Sequence, residues 1–273
     1  MSSPAPTESD SAQPNRIRGS RTTARCGDAS VGAEALRRHD DEVDTDLAAV
    51  AALIGDRTRA AMLDALVAGD PLRASTLAGR AGVAPSTASE HLSRLLEGGL
   101  ISCQASGRER RYRLASADVA EALEALSRVA RPVRVTSLRA AGRGSALREA
   151  RTCYDHLAGR VGVAVTEALV ARRALILGDG SYELTRTGER LLVRIGADVA
   201  SARARKRAFA RACLDWSERR PHLAGALGAA VADALVANGW LARRPNDRGL
   251  IVTAAGAAGL RAELGLDLGA LGV

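Results

Sequence analysis

Aromatic side chains are scarce. Phe, Trp and Tyr together make up 2% of the 273 residues, and lysine occurs once, as Lys206. A core without aromatics must be built from Leu, Val and Ala, and a hydrophobic content of 47% is ample for that. No uninterrupted apolar run approaches the ~20 residues of a membrane-spanning helix. The longest near the start covers residues 47–54. The first 42 residues contain no apolar stretch of the signal-peptide kind, so no membrane association and a cytoplasmic location are expected. The four cysteines, Cys26, Cys103, Cys153 and Cys213, lie far apart and form no Cys-x-x-Cys pair, which argues against a disulfide framework. Phosphate-binding, serine-hydrolase and HExxH signatures are missing, so nothing speaks for an enzyme.

Arginine, by contrast, is abundant. Lys and Arg number 39 against 31 Asp and Glu, for a net charge of +8 and a pI near 10.2. Such a balance favours a polyanionic partner, with nucleic acid the first candidate. An arginine-rich codon usage would produce the same count, so the placement of the charges has to decide.

Residues 1–42 are rich in Ser, Pro, Thr, Asp and Arg without sustained periodicity, and read as a disordered arm. From Asp46 the spacing turns helical: Leu47, Val50, Leu53 and Ile54 share one face. Gly55 ends that helix, and Asp56 is placed to cap a second one carrying Ala60, Met62, Leu63 and Leu66. A third helix is expected over 73–81. Gly82 makes the turn, and Pro85 opens a fourth helix over 85–98. Strands at 100–104 and 110–114 flank a polar tip containing Gly107, and a fifth helix covers 116–129. A linker is read at 133–148.

The segment from Leu77 to Leu96 has the layout of a helix-turn-helix. Its second helix presents Ser86, Thr87, Ser89, Glu90, Ser93 and Arg94 opposite a Leu face. Short polar side chains let a helix approach base edges and phosphates, and Arg can fork onto guanine. The hairpin beside it carries Arg108, Arg110, Arg111 and Arg113, suited to the DNA backbone or the minor groove. Alternation sets Arg111 with Arg113 and Arg110 with Tyr112.

The run Asp56-Arg57-Thr58-Arg59, the segment from Ala84 through His91 to Leu92 and the wing from Gly107 to Tyr112 resemble the ArsR/SmtB family of bacterial repressors. The resemblance covers about residues 47–130. It implies a winged helix-turn-helix, a homodimer formed through the first and fifth helices, double-stranded DNA with an inverted-repeat operator as partner, and release by an inducer. The family's usual metal sites are missing: the third helix lacks a Cys-x-Cys pattern, and the fifth has neither Cys nor His. His91, in the recognition helix, reads as a packing or DNA-proximal residue.

Beyond residue 149 the sequence repeats itself. One copy opens at Cys153-Tyr154-Asp155-His156 and runs to Gly188. The other opens at Cys213-Leu214-Asp215, takes an insertion, resumes at His222 and runs to Gly256. Each copy reads as helix, β-hairpin, helix, with hairpins at 175–184 and 241–252. The expected fold class is therefore α+β and mostly helical. A winged helix-turn-helix domain at 43–132 precedes a duplicated, winged-helix-like regulatory domain at 149–273.

Three readings of that second domain stay open. Cys153, His156, Cys213 and His222 would suit Zn²⁺ or a softer thiophilic ion acting as inducer if the copies pack about a pseudo-twofold axis. Tyr154, His156, Asp215, Trp216 and Trp240 could instead line a pocket for a small organic inducer. Or these residues simply fill core positions. A DNA-binding repressor is the leading function. The alternative is a nonspecific DNA-organising protein using several basic wings, including Arg243, Arg244 and Arg248.

Overall fold

Helix α1 (Leu47–Ile54) starts where the Asp46 carboxylate accepts the Ala49 amide at 2.9 Å. The computed structural model describes residues 45–106, 109–131, 137–245 and 247–271. The arm expected at 1–42 lies outside them. Asp56 caps α2 (Arg57–Leu66), as expected, by accepting from the Arg59 amide at 2.9 Å. Arg59 then turns back, and its Nε and Nη2 donate to the Leu53 and Ala52 carbonyls at 2.7 and 2.8 Å. The Asp-Arg-Thr-Arg run thus starts one helix and satisfies the open carbonyls of the one before it.

A two-residue strand β1 (Leu72–Arg73) leads into α3 (Ala74–Ala81). Gly82 adopts the left-handed conformation, φ 69°, which a Cβ would disfavour. Pro85 occupies the first turn of α4 (Pro85–Glu97). Strands β2 (Ile101–Ser106) and β3 (Glu109–Leu114) form the wing, and β1 joins the free edge of β3, giving the order β1-β3-β2. β1 escaped the sequence reading because two residues carry no period. Helix α5 (Ala117–Val129) is capped by Ser116. Met62, Leu63, Leu66, Leu77, Leu92, Leu95, Tyr112 and Leu114 form the core of this unit.

The expected linker is largely a helix, α6 (Leu138–Glu149). Gly142 and Gly144 do not interrupt it. Packing against its neighbours outweighs the propensity penalty of ~1 kcal/mol per Gly.

After α6 one order of elements runs twice. The first run is hairpin β4 (Arg151–Cys153)/β5 (His156–Ala158), α7 (Gly159–Ala171), hairpin β6 (Leu175–Leu177)/β7 (Tyr182–Leu184) and α8 (Arg186–Arg194). A short α9 (Val199–Ala204) intervenes. The second run is hairpin β8 (Arg211–Leu214)/β9 (Pro221–Ala224), α10 (Gly225–Ala237), hairpin β10 (Leu241–Arg243)/β11 (Leu250–Val252) and α11 (Ala254–Leu264). The expected hairpins at 175–184 and 241–252 are present. Each run opens with a further hairpin where the sequence suggested a helix. Strands of three or four residues are too short to show an alternating period. The insertion after Asp215 is a longer turn between β8 and β9.

The two runs interlock. β5 packs against α10, and β9 against α7. The Thr152 and Leu250 amides donate to the Arg248 and Ala150 carbonyls, both at 2.8 Å. The Tyr182 and Ala212 amides donate to the Ala210 and Gly180 carbonyls at 2.9 and 3.0 Å. The opening hairpin of each run is thereby bonded to the later hairpin of the other. Gly188 and Gly256 allow a close approach within each run. A Cβ there would fall 2.1 Å from the Ala174 carbonyl oxygen and 2.0 Å from that of Trp240.

Candidate functional site

Two polar constellations stand out, one on the surface and one buried. On α4, Ala88, Leu92 and Leu95 face the core. Ser86, Thr87, Ser89, Glu90, Ser93 and Arg94 are all exposed on the other side, where the sequence put them. Ser89 Oγ donates to the Pro85 carbonyl at 3.0 Å, and Arg94 Nη2 donates to Glu90 Oε1 at 2.7 Å. Glu90 thus orients the arginine along the helix face. His91 is half-buried, its Nδ1 3.6 Å from Asp56 Oδ1.

In the wing, Tyr112 and Leu114 are buried and Arg113 between them is exposed, as alternation across β3 requires; Arg110, on the Tyr112 side but nearer the tip, is exposed. Arg111 is half-buried and shares Glu109 with Arg73 of β1. Arg113 Nε donates to Ser102 Oγ at 3.4 Å. Arg108 lies outside the described residues. In the later hairpin Arg243 and Arg244 are exposed and Arg248 is buried. Arg243 pairs with Asp70 at 3.0 Å, and Arg248 is buried between Glu124 of α5, at 2.5 Å, and Asp64, at 3.5 Å. Arg243 and Arg248 tie the later hairpin to the amino-terminal unit.

The buried constellation lies where the two opening hairpins meet. Cys153 pairs across the ladder with His156, and Cys213 with His222. All four side chains are buried, and their ligand-type atoms lie within 4.8 Å of one another. The two Nε2 atoms approach to 3.2 Å, with the rings stacked. Each ring has a carboxylate at its back: Asp155 Oδ1 is 3.5 Å from His156 Nδ1, and Asp215 Oδ2 is 3.6 Å from His222 Nδ1. Burial opposes ionisation of Cys213, but the neighbouring Cys153 thiol and the two imidazoles outweigh it and hold the Cys213 thiol far below its usual range. The Cys213 sulfur and burial together push Cys153 up. Burial works against a charge on His156, yet Asp155 and Cys213 raise its pKa.

Arg151 was missed in the sequence and is fully buried. Its Nη2 donates to Asp215 Oδ2 at 2.9 Å, its Nη1 to the Leu147 carbonyl and Ser217 Oγ, and its guanidinium lies 4.5 Å from the Trp216 ring centre. Burial favours a neutral Asp215, but Arg151, the Gly159 amide and Ser217 outweigh it and hold the carboxyl low. The available signal was the spacing Arg-x-Cys, which recurs as Arg151-Thr152-Cys153 and Arg211-Ala212-Cys213.

Of the five residues read as an organic-ligand pocket, Tyr154 and His156 line one cavity, and Asp215, Trp216 and Trp240 do not join them. Tyr154 packs towards the amino-terminal core, and Trp240 sits on the carboxy-terminal one. Trp216 and Asp215 are engaged with Arg151. That cavity, of about 140 Å³, opens beside the cluster, between Cys153, His156 and Cys213 on one side and Glu121 and Glu124 of α5 on the other.

The profile of a family described as "Helix-turn-helix domain" (HTH_20) matches residues 54–104. The cadmium metal-sensor CMTR from Mycobacterium tuberculosis is 34% identical over 33% of this chain and 94% of its own, with a TM-score of 0.28. The homodimeric winged helix-turn-helix domain Mb0332 from Mycobacterium bovis, a possible ArsR-family regulator, is 29% identical over 32% of this chain and 87% of its own, again at 0.28. The HTH-type transcriptional regulator YdfF of Bacillus subtilis (strain 168) is 39% identical over 223 residues, covering 82% of this chain and 99% of YdfF. With α3, α4 and the wing in place and that identity reaching far beyond them, the chain belongs to the winged helix-turn-helix transcriptional regulators, DNA-binding proteins that control transcription.

Proposed function

We infer that the protein is a repressor that binds an inverted-repeat operator as a homodimer and is released by an inducer held in its carboxy-terminal half. The observation that carries this reading is the division of α4. Three small or aliphatic residues anchor it, and six polar ones, Ser86 to Arg94, lie exposed beside an arginine-bearing wing. That arrangement suits a recognition helix in the major groove with the wing along the backbone. Arg94 and Arg111 are the side chains assigned to base and phosphate contact, with Arg110 and, from its place in the sequence alone, Arg108 as further arginines for the DNA backbone.

The dimer reading is supported by α1. Its eight residues are Leu, Ala, Val and Ile, and none is buried in the single chain. Leu47 and Val50 on α1, with Leu126 and Val129 on α5, are exposed large apolar side chains. A second copy covers such a face at the two-fold axis that an inverted repeat requires. We also read the two interlocked runs of the carboxy-terminal half as copies of one unit, a closed scaffold suited to hold a regulatory ligand. The protein would work in the cytoplasm, and no described helix is long and apolar enough to cross a membrane.

Footprinting on DNA from the gene's own promoter region tests this. Protection of a short inverted repeat, lost in Arg94→Ala, is the expected result. Equal affinity for scrambled DNA would sink the repressor reading in favour of a nonspecific DNA organiser. Sedimentation of Val129→Glu as a monomer, beside a dimeric wild type, tests the interface.

A further inference from the structure

We propose that Cys153, His156, Cys213 and His222 form a tetrahedral site for one zinc-class divalent ion, and that its occupancy controls DNA binding through α5. The regulatory half rests on the repressor reading above, but the metal half does not.

The donor set is the first argument. Two thiols and two imidazoles are the composition of a closed tetrahedral zinc site. Zn–N near 2.0–2.1 Å and Zn–S near 2.3 Å imply tetrahedron edges of about 3.3–3.8 Å. The two Nε2 atoms already stand 3.2 Å apart, and all four donors fit within 4.8 Å. Small side-chain rotations close the set.

The second argument is what stands behind the ligands. Each histidine turns Nε2 towards the centre and Nδ1 towards a carboxylate, Asp155 or Asp215. A carboxylate at Nδ1 favours the proton there and leaves Nε2 as the lone-pair side, the arrangement behind metal-bound histidine. Two such lone pairs facing at 3.2 Å need a cation or a shared proton between them. A divalent ion displaces the protons that the bare thiol–imidazole cluster keeps among its own atoms. The donors also come as one Cys and one His from each interlocked run, so a single ion cross-links both hairpins.

The third argument links the site to DNA. Cys213 and Arg211 are two apart on β8 and therefore share a face. Arg211 pairs with Glu121 of α5, and α5 follows the wing strand β3 with only two residues between. Drawing Cys213 onto a metal repositions β8, and Arg211 carries that change to α5.

The test uses the full-length chain, fully reduced and stripped of metal. Titration with Co²⁺ should give one equivalent per chain, with intense visible bands of tetrahedral cobalt and thiolate-to-cobalt charge transfer, both bleached by Zn²⁺. Cys213→Ser should cut the charge transfer to that of a single thiolate or less. His156→Gln, which retains size and polarity, should abolish the tetrahedral spectrum, and Asp155→Asn should weaken the metal about 10- to 100-fold. Binding to promoter DNA should then differ about 5- to 150-fold between Zn²⁺-loaded and stripped protein. Arg211→Ala should keep the cobalt spectrum and lose that difference. Wild-type protein that takes up no Co²⁺ or Zn²⁺, or gives an octahedral spectrum indifferent to these substitutions, overturns the site without recourse to any variant. A normal cobalt spectrum with unchanged DNA affinity overturns the regulatory half. Metal binding by a protein that recognises no DNA in either state removes the repressor reading and leaves the site standing.

Discussion

The exposed side of α4 and the interior between β4–β5 and β8–β9 both hold an arginine–carboxylate pair. Glu90 and Arg94 meet at 2.7 Å with more than half of each side chain in water. Arg151 and Asp215 meet at 2.9 Å with none of either in water. The first pair is an adjustable element of a surface, and its members can be released to a ligand at little cost. The second cannot be released, because either charge alone would be stranded in the interior. Equal geometry therefore supports opposite uses: contact with a partner on α4, and rigid placement of Asp215 behind His222 in the carboxy-terminal half.

The sharpest way to break this comparison is to remove one partner from each pair. Arg151→Met should destabilise the protein by about 3–5 kcal/mol, the cost of leaving a buried charge unpaired. Glu90→Gln should change stability by no more than about 0.5 kcal/mol, as for an exposed i,i+4 pair. Denaturant titration of both variants measures the contrast, and similar losses would refute it. Next comes the equivalence of the two interlocked runs. Gly188→Ala and Gly256→Ala each push a methyl group onto a backbone carbonyl and should each cost about 1–3 kcal/mol. A large loss in one and none in the other would show that the runs do not bear equivalent packing.

On the surface, Arg94→Ala should leave the melting temperature near that of wild type and weaken operator binding by about 1–3 kcal/mol, with relaxed preference at one base position. The smallest effect belongs to the wing. Arg111→Ala should lower the salt dependence of DNA binding by about one unit of slope, nearly independent of sequence. A changed base preference without a changed slope would move Arg111 from backbone contact to base reading.

The amino-terminal unit was legible because its signals are local. Asp56, Gly82 and Pro85 act within one turn of their own position, and the spacing of Leu92 and Leu95 defines the outward face of α4 without reference to anything distant. The same logic worked for α5 and for the hairpins at 175–184 and 241–252. It failed for β1, for α6 and for the opening hairpins of both runs. These strands are too short to carry a period, and α6 contains two glycines that packing overrides.

The sequence by itself determined the helix-turn-helix, the polar face of α4 and the paired occurrence of Cys, Asp and His in two related segments, because chain neighbours and helical period are enough to specify them. Only the tertiary structure decided that Cys153, His156, Cys213 and His222 converge while Trp216 and Trp240 part company. Convergence depends on each opening hairpin crossing to the other run, through contacts between residues about 30 positions apart at one junction and about 100 at the other. No local period encodes that exchange. Its physical origin is the pairing of strand edges and the burial of β5 under α10 and of β9 under α7.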